Sequence, residues 1–285
     1  MKLQKGEHAL RGKGMSKFSL KCDIDKEKYL NLIDILYKST DFNAVIIKGL
    51  YDNKKDIVLK VGIHNAIKKE YDIYYELKTF PNFIRYYCVF YCNDDILKLI
   101  KNEEIGNTYN LCKNGTENVG ILAMNYYKLG SIGSYDWNKT NLHFLKNLLK
   151  HTVFSILYAY SQIGFIHGDL HCDNILLKNK RENEKDYFYK KLSVDEFEIR
   201  IMDFEKSYIN KNREFKYILT DIEKLFNSIS VNERYTVKFA YKNGMLRKLK
   251  NQVMIDNINA YTFNEKYFND LELIIDSFYV EYEIK

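Results

Sequence analysis

Two short polar motifs, each set against an apolar run, constrain this chain more than any other feature of it. The first is His167-Gly168-Asp169-Leu170-His171-Cys172-Asp173-Asn174-Ile175, continued by Leu176 and Leu177. The second is Ile201-Met202-Asp203-Phe204-Glu205, whose Asp lies twenty-nine residues beyond Asn174. Short apolar runs of this kind read as buried strands. A loop followed by a strand puts Asp169 and Asn174 at one end of a hairpin. The returning strand, Glu198 to Met202, delivers Asp203 to the same end.

Together these segments resemble the catalytic loop and the metal-binding Asp-Phe-Gly segment of the protein-kinase-like phosphotransferases. The resemblance implies an α+β, two-lobed fold. A small β-rich N-terminal lobe with one key helix would occupy residues 23–124. A mainly helical C-terminal lobe would occupy residues 125–285, and residues 1–22 would form a flexible basic arm. It further implies ATP as phosphoryl donor and Mg²⁺ as cofactor. Phosphoryl transfer needs positioning and charge neutralisation more than covalent help. Asp169 then takes the acceptor hydroxyl's proton. The amide oxygen of Asn174 and the carboxylate of Asp203 hold Mg²⁺, a hard cation that keeps several waters.

The segments upstream fit a nucleotide-binding lobe. Asp56 to Val61 is an apolar strand carrying one lysine, Lys60, and resembles the strand whose Lys holds the α- and β-phosphates. Lys69 to Leu77 has helical periodicity, with Ile73, Tyr74 and Leu77 on one face. Glu70 occupies the place of the helix Glu that pairs with Lys60, and Glu76 is the alternative. A Lys on a half-buried strand needs such a partner, because an unpaired buried ammonium is costly. The glycine-rich phosphate loop of the family has its best match at Lys38 to Val45, which contains none of its three glycines. Ser39 or Thr40 can donate to a phosphate there, Asn43 tolerates a positive φ, and Val45 fits the pattern. Phe83 to Tyr91 and Val119 to Met124 read as strands. In the hinge-like segment that follows, the backbone of Asn125 and Tyr126 would bind adenine. Asn141 to Ile163 reads as an amphipathic helix capped by Thr140 or Asn141 and ended by Gly164.

Departures from the common pattern carry information. Gly168 stands where an Arg usually follows the His, so activity is expected not to depend on phosphorylation of the segment after Asp203. His171 stands where a Lys often contacts the γ-phosphate, and it is assigned to the catalytic set as a hydrogen-bond donor. Glu205 replaces the last Gly of Asp-Phe-Gly. The single proline is Pro81, so no Ala-Pro-Glu motif exists. Asp221 has two readings: the helix Asp that holds the catalytic loop, or a neighbour of a Thr220/Glu223 capping box that opens a helix. Residues 178–195 form a charge-dense insertion, read as a solvated extension of the hairpin. The last sixty residues read as helical.

Length and charge agree with this reading. A chain of 285 residues suits one two-lobed catalytic unit, and a net charge of +6 spread along it gives no specific nucleic-acid signal. Five cysteines without a signal-peptide pattern fit a reducing compartment. No apolar run is long enough to span a membrane. The expected location is the cytoplasm, or the host cytoplasm or virion if the chain is viral, since large DNA viruses encode compact kinases of this sort. The expected acceptor is a Ser or Thr of a protein. The same motifs also resemble choline- and aminoglycoside-type kinases, which act on small molecules. A pseudokinase scaffold is the third reading, and oligomeric state is not readable.

Overall fold

The computed structural model describes residues 30–38, 44–51, 55–91, 119–137, 142–179, 197–212, 215–228, 235–240 and 279–284. Five runs rich in β-branched and aromatic residues build one antiparallel sheet. They are β1 (Leu30–Lys38), β2 (Ala44–Tyr51), β3 (Lys55–Ile63), β4 (Tyr86–Tyr91) and β5 (Val119–Asn125). Their spatial order is β1-β2-β3-β5-β4. The central strand β3 is buried without a break from Ile57 to Val61. Lys60 is therefore drawn into the interior by its neighbours rather than left on a solvated face.

Helix α1 (His64–Leu77) follows β3 and lies against the sheet. Its buried stripe is Ile67, Glu70, Tyr74 and Leu77, spaced three and four apart as one helix face requires. That stripe begins earlier than expected and excludes Ile73, which is only partly buried. The point that matters for function is that a glutamate occupies a core position of the stripe.

Helix α2 (Leu142–Ile163) buries Leu145, Leu148, Leu149, Val153, Ile156 and Leu157. Gly164, with φ 74°, follows its last turn. Strand β6 (Phe165–Ile166) leads into the catalytic-type loop, and Cys172–Asn174 makes one 3₁₀ turn. Strands β7 (Ile175–Asn179) and β8 (Phe197–Ile201) form the expected hairpin, in the register Ile175 opposite Ile201. Strand β9 (Tyr208–Ile209) returns to pair with β6, and α3 (Phe215–Asn227) packs alongside α2.

The hairpin is tied to the larger sheet through the segment before β4. The Ile84 N–H donates to the Ile201 carbonyl at 2.9 Å, and the Ile201 N–H donates to the Asn82 carbonyl at 2.8 Å. Phe83, Phe165 and Phe204 meet edge to face or tilted at this junction, with centroids 5.5–6.1 Å apart. Such aromatic pairs add specific geometry to the area they bury.

The last sixty residues, expected to be helical, need correction where they are described. Beyond residue 125 the described residues hold two helices and six short strands. The last two strands, β10 (Tyr235–Ala240) and β11 (Tyr279–Ile284), pair antiparallel in what reads from sequence as helix. Both alternate aromatic or β-branched residues with polar ones, a period of two that outweighs the charged, helix-favouring composition around them. The basic arm, most of the 178–195 insertion, and Thr140 and Asn141 lie outside the described residues. No helix among the described residues is long and apolar enough to cross a membrane.

Candidate active site

Two consecutive elements and a distant third deliver charge to one place. Lys60 on β3 donates to Glu70 Oε2 on α1 at 2.8 Å and to Asp203 Oδ1 after β8 at 2.5 Å. Glu70 is only 1% exposed and also accepts from the hydroxyl of Tyr86 on β4. Burial alone would push the Lys60 ammonium down, but the Glu70 and Asp203 carboxylates overcome this and hold it above the ordinary lysine value. Burial likewise works to raise Asp203, and Lys60 overcomes it and holds that carboxyl below its ordinary value. Asp203 itself has φ 66°, a left-handed conformation that Asp tolerates better than most residues. Glu76 is exposed and takes no part.

At the same end of the β7–β8 hairpin, just before β7, Asn174 directs its amide nitrogen to the Asp169 carbonyl and to His171 Nε2, each at 3.0 Å. Both contacts use Nδ2, which leaves the amide oxygen turned to a different task. His171 Nε2 thus accepts from Asn174, which leaves the proton of a neutral ring on Nδ1. Its Nδ1 faces Asp173 Oδ2 at 3.8 Å.

The loop backbone is fixed from beneath by Asp221 on α3. Its carboxylate accepts from the N–H of His167 at 2.8 Å and of Gly168 at 2.9 Å. The capping-box alternative does not hold: α3 begins at Phe215, and the Thr220 hydroxyl donates to the Lys216 carbonyl within the helix. His167 is fully buried, with Nε2 2.9 Å from the Met202 carbonyl and Nδ1 accepting the Asp169 N–H at 3.3 Å. A carbonyl can only accept, so these partners assign the proton of a neutral ring to Nε2.

No family model matches this chain, and no curated protein matches it. Among solved structures, WaaP in complex with acyl carrier protein is similar over 87% of each chain, with a TM-score of 0.44 and 10% sequence identity.

Of the other expected residues, Val45 is buried on β2 opposite Val61, and Ser39, Thr40 and Asn43 lie outside the described residues. Asn125 ends β5, where its side-chain oxygen accepts from the Tyr87 hydroxyl. The Tyr126 N–H points to the Asp56 carbonyl at 3.5 Å. Asn125 pairs with Ile57 and Leu122 with Lys60, so the hinge-like segment sits three rungs, about 10 Å, from the lysine along β3.

Besides Tyr86, two side chains at the site were missed by sequence reasoning. Lys206 donates to Asp169 Oδ2 at 2.7 Å, and Lys224 donates to the Gly168 carbonyl at 2.8 Å and lies 3.5 Å from Asp169 Oδ1. Burial works to raise the Asp169 carboxyl, but Lys206 outweighs it and holds the group below its ordinary value. Lys224 lies one helical turn beyond Asp221 on α3, a spacing that is informative only once Asp221 is known to face the loop.

Gly168 explains the missing Arg. Its φ is 79°, and a Cβ there would stand 2.5 Å from the Lys206 carbonyl oxygen. Gly168→Ala should therefore displace the segment that carries Lys206 and cost about 1–3 kcal/mol, measured as a lower urea midpoint. An alanine variant as stable as the wild type would show that this approach can relax.

Two buried groups of the loop titrate in opposite senses. Burial lowers His167 from 6.5 to about 4 and raises Asp221 from 3.8 to about 6. Between pH 6.5 and 4 the unfolded chain binds more protons at His167, so that group loses stability as pH falls. Between pH 6 and 3.8 the folded chain binds more protons at Asp221, so that group gains stability as pH falls. Each effect is on the order of 3 kcal/mol, and in the wild type they roughly offset. His167→Gln should leave a protein that grows more stable on acidification across this window. Asp221→Asn should leave one that grows less stable. Parallel pH dependence in the two variants, followed by urea unfolding, would refute this assignment.

Proposed function

We propose that this chain is an ATP- and Mg²⁺-dependent phosphotransferase of the protein-kinase-like kind, acting preferentially on Ser or Thr of a protein. One observation carries the reading: Lys60 ties Glu70 to Asp203 while Asp169 and Asn174 converge on the same hairpin end. A charge set of this kind, open at Asp203 and Asp169, suits a bound polyphosphate.

The donor set fits a hard cation that relies on its substrate. Asp203 keeps one oxygen beyond its bond to Lys60, and Asn174 keeps its amide oxygen. No group of three His, Cys, Asp or Glu able to hold a metal occurs among the described residues. A cation held by Asp203 and Asn174 would therefore complete its shell with phosphate oxygens and water, as Mg²⁺ commonly does. When bound, it would supply charge neutralisation at the transferring phosphate. Lys60, kept charged by its two carboxylates, offers its ammonium to the donor's phosphate oxygens. Asp169 takes the proton of the acceptor hydroxyl. His167 and Asp221 fix the loop that presents Asp169.

The test is transfer of label from γ-labelled ATP with Mg²⁺, to the protein itself and to a mixed protein substrate, with Asp169→Asn and Asp203→Ala alongside. Protein label that is lost in both variants is the expected result. ATP binding with no label on protein would redirect the reading to a small-molecule acceptor of the choline or aminoglycoside kind. Failure to bind Mg-ATP would leave a scaffold.

A further inference from the structure

We infer that the acceptor is a Ser or Thr flanked by acidic side chains, and that Lys206 and Lys224 select it. The inference rests on the phosphotransfer reading above and names the substrate class of the same site. Asp169, the group assigned to the acceptor hydroxyl, is the meeting point of two ammonium groups from different elements. Lys206 comes from the segment after β8 and Lys224 from α3. Their side chains are 65% and 46% exposed, against 27% for Asp169, so both reach the carboxylate from the solvent side. An acceptor must approach across them.

Within bonding distance of Asp169 the charge balance is positive. One carboxylate faces two cations. Of the other acids of the loop region, Asp203 is bonded to Lys60, and Asp173 accepts from the Ser131 hydroxyl at 3.2 Å. Asp203 and the exposed Glu205 act on Lys206 only as more distant charges. Like charges brought together at an interface are strongly disfavoured. A lysine- or arginine-flanked acceptor, or a quaternary ammonium, would meet that repulsion.

The contact with Lys206 has a second consequence. The ammonium occupies one lone pair of Asp169 Oδ2 and competes there with the acceptor hydroxyl. An acidic residue beside the acceptor hydroxyl offers the ammonium a new partner and releases Oδ2. Recognition and uncovering of the base thus become one event. The fold does not require either lysine, because exposed ion pairs contribute little to stability.

Three peptides that differ only in flanking Glu, Ala or Lys test this in steady-state transfer. The wild type should favour the Glu peptide over the Lys peptide by about tenfold or more in kcat/KM, chiefly through KM. The preference should shrink as salt rises. Lys206→Glu combined with Lys224→Glu should invert the ratio, and Lys206→Ala or Lys224→Ala should each flatten it. The ratio cancels any loss of turnover common to all peptides, and the alanine variants decide the matter if the doubly reversed protein turns over nothing. A wild-type ratio near one, or one unmoved by these substitutions, overturns the inference. ATP turnover with no peptide labelled overturns it too and leaves phosphotransfer standing. No ATP turnover at all removes both.

Discussion

Asp169→Asn should lower phosphoryl transfer by about 10²–10⁴-fold, the range expected when a positioned proton acceptor is removed. An amide has the carboxylate's shape and cannot take the acceptor's proton. The fold should tolerate the change, since the ion pairs lost are those with exposed Lys206 and Lys224, worth about 0–1 kcal/mol. Nucleotide binding should survive as well, because Lys60, Glu70 and Asp203 form their own connected set. Single-turnover transfer at saturating ATP is the measurement, with a urea midpoint and a nucleotide titration beside it. An Asn variant that keeps more than about a tenth of wild-type transfer would remove Asp169 from the role of base.

Glu70→Ala should cost the fold about 3–5 kcal/mol, the usual loss when one partner of a buried ion pair is deleted. Two buried groups depend on this carboxylate. Lys60 would keep only Asp203, which is partly exposed, and the Tyr86 hydroxyl would lose its acceptor. A buried donor left without a partner carries its full desolvation penalty. Glu70→Gln preserves acceptor capacity and shape while removing the charge, so its loss should be smaller. Equilibrium urea unfolding of the three proteins measures this. A loss under about 1 kcal/mol in the alanine variant would mean that Lys60 and Tyr86 find other partners or water.

The two results would be complementary. The first separates chemistry from folding at Asp169. The second shows how far the polar set under the hairpin is also part of the core. Glu70 belongs to the same buried stripe as Ile67, Tyr74 and Leu77, so α1 cannot shift without moving the carboxylate. Lys69, the residue before it, donates to the Glu205 carbonyl at 2.7 Å and ties the same helix to the segment that follows Asp203.

Local pattern made much of this legible in the sequence. The apolar runs around Asp169, Asn174 and Asp203 require a hairpin, and a hairpin has only one end at which those residues can meet. The apolar spacing from Leu145 to Leu157 requires a helix, and Gly164 follows its end. The lone lysine in an apolar strand requires a buried carboxylate, and the next helix supplies Glu70. Each of these follows from a short-range period or from the cost of burying charge, which the chain carries in neighbouring residues. Tertiary structure alone decided the rest. Asp221 could hold a loop or merely neighbour a Thr220/Glu223 capping box until the position of α3 against the His167–Gly168 backbone was fixed. Tyr86, Lys206 and Lys224 join the site across separations of 16, 37 and 55 residues. The strands at Tyr235–Ala240 and Tyr279–Ile284 depend on finding each other across the chain. Partners so far apart leave no periodic trace, because the free energy that selects them comes from packing and desolvation that exist only once the chain has closed around them.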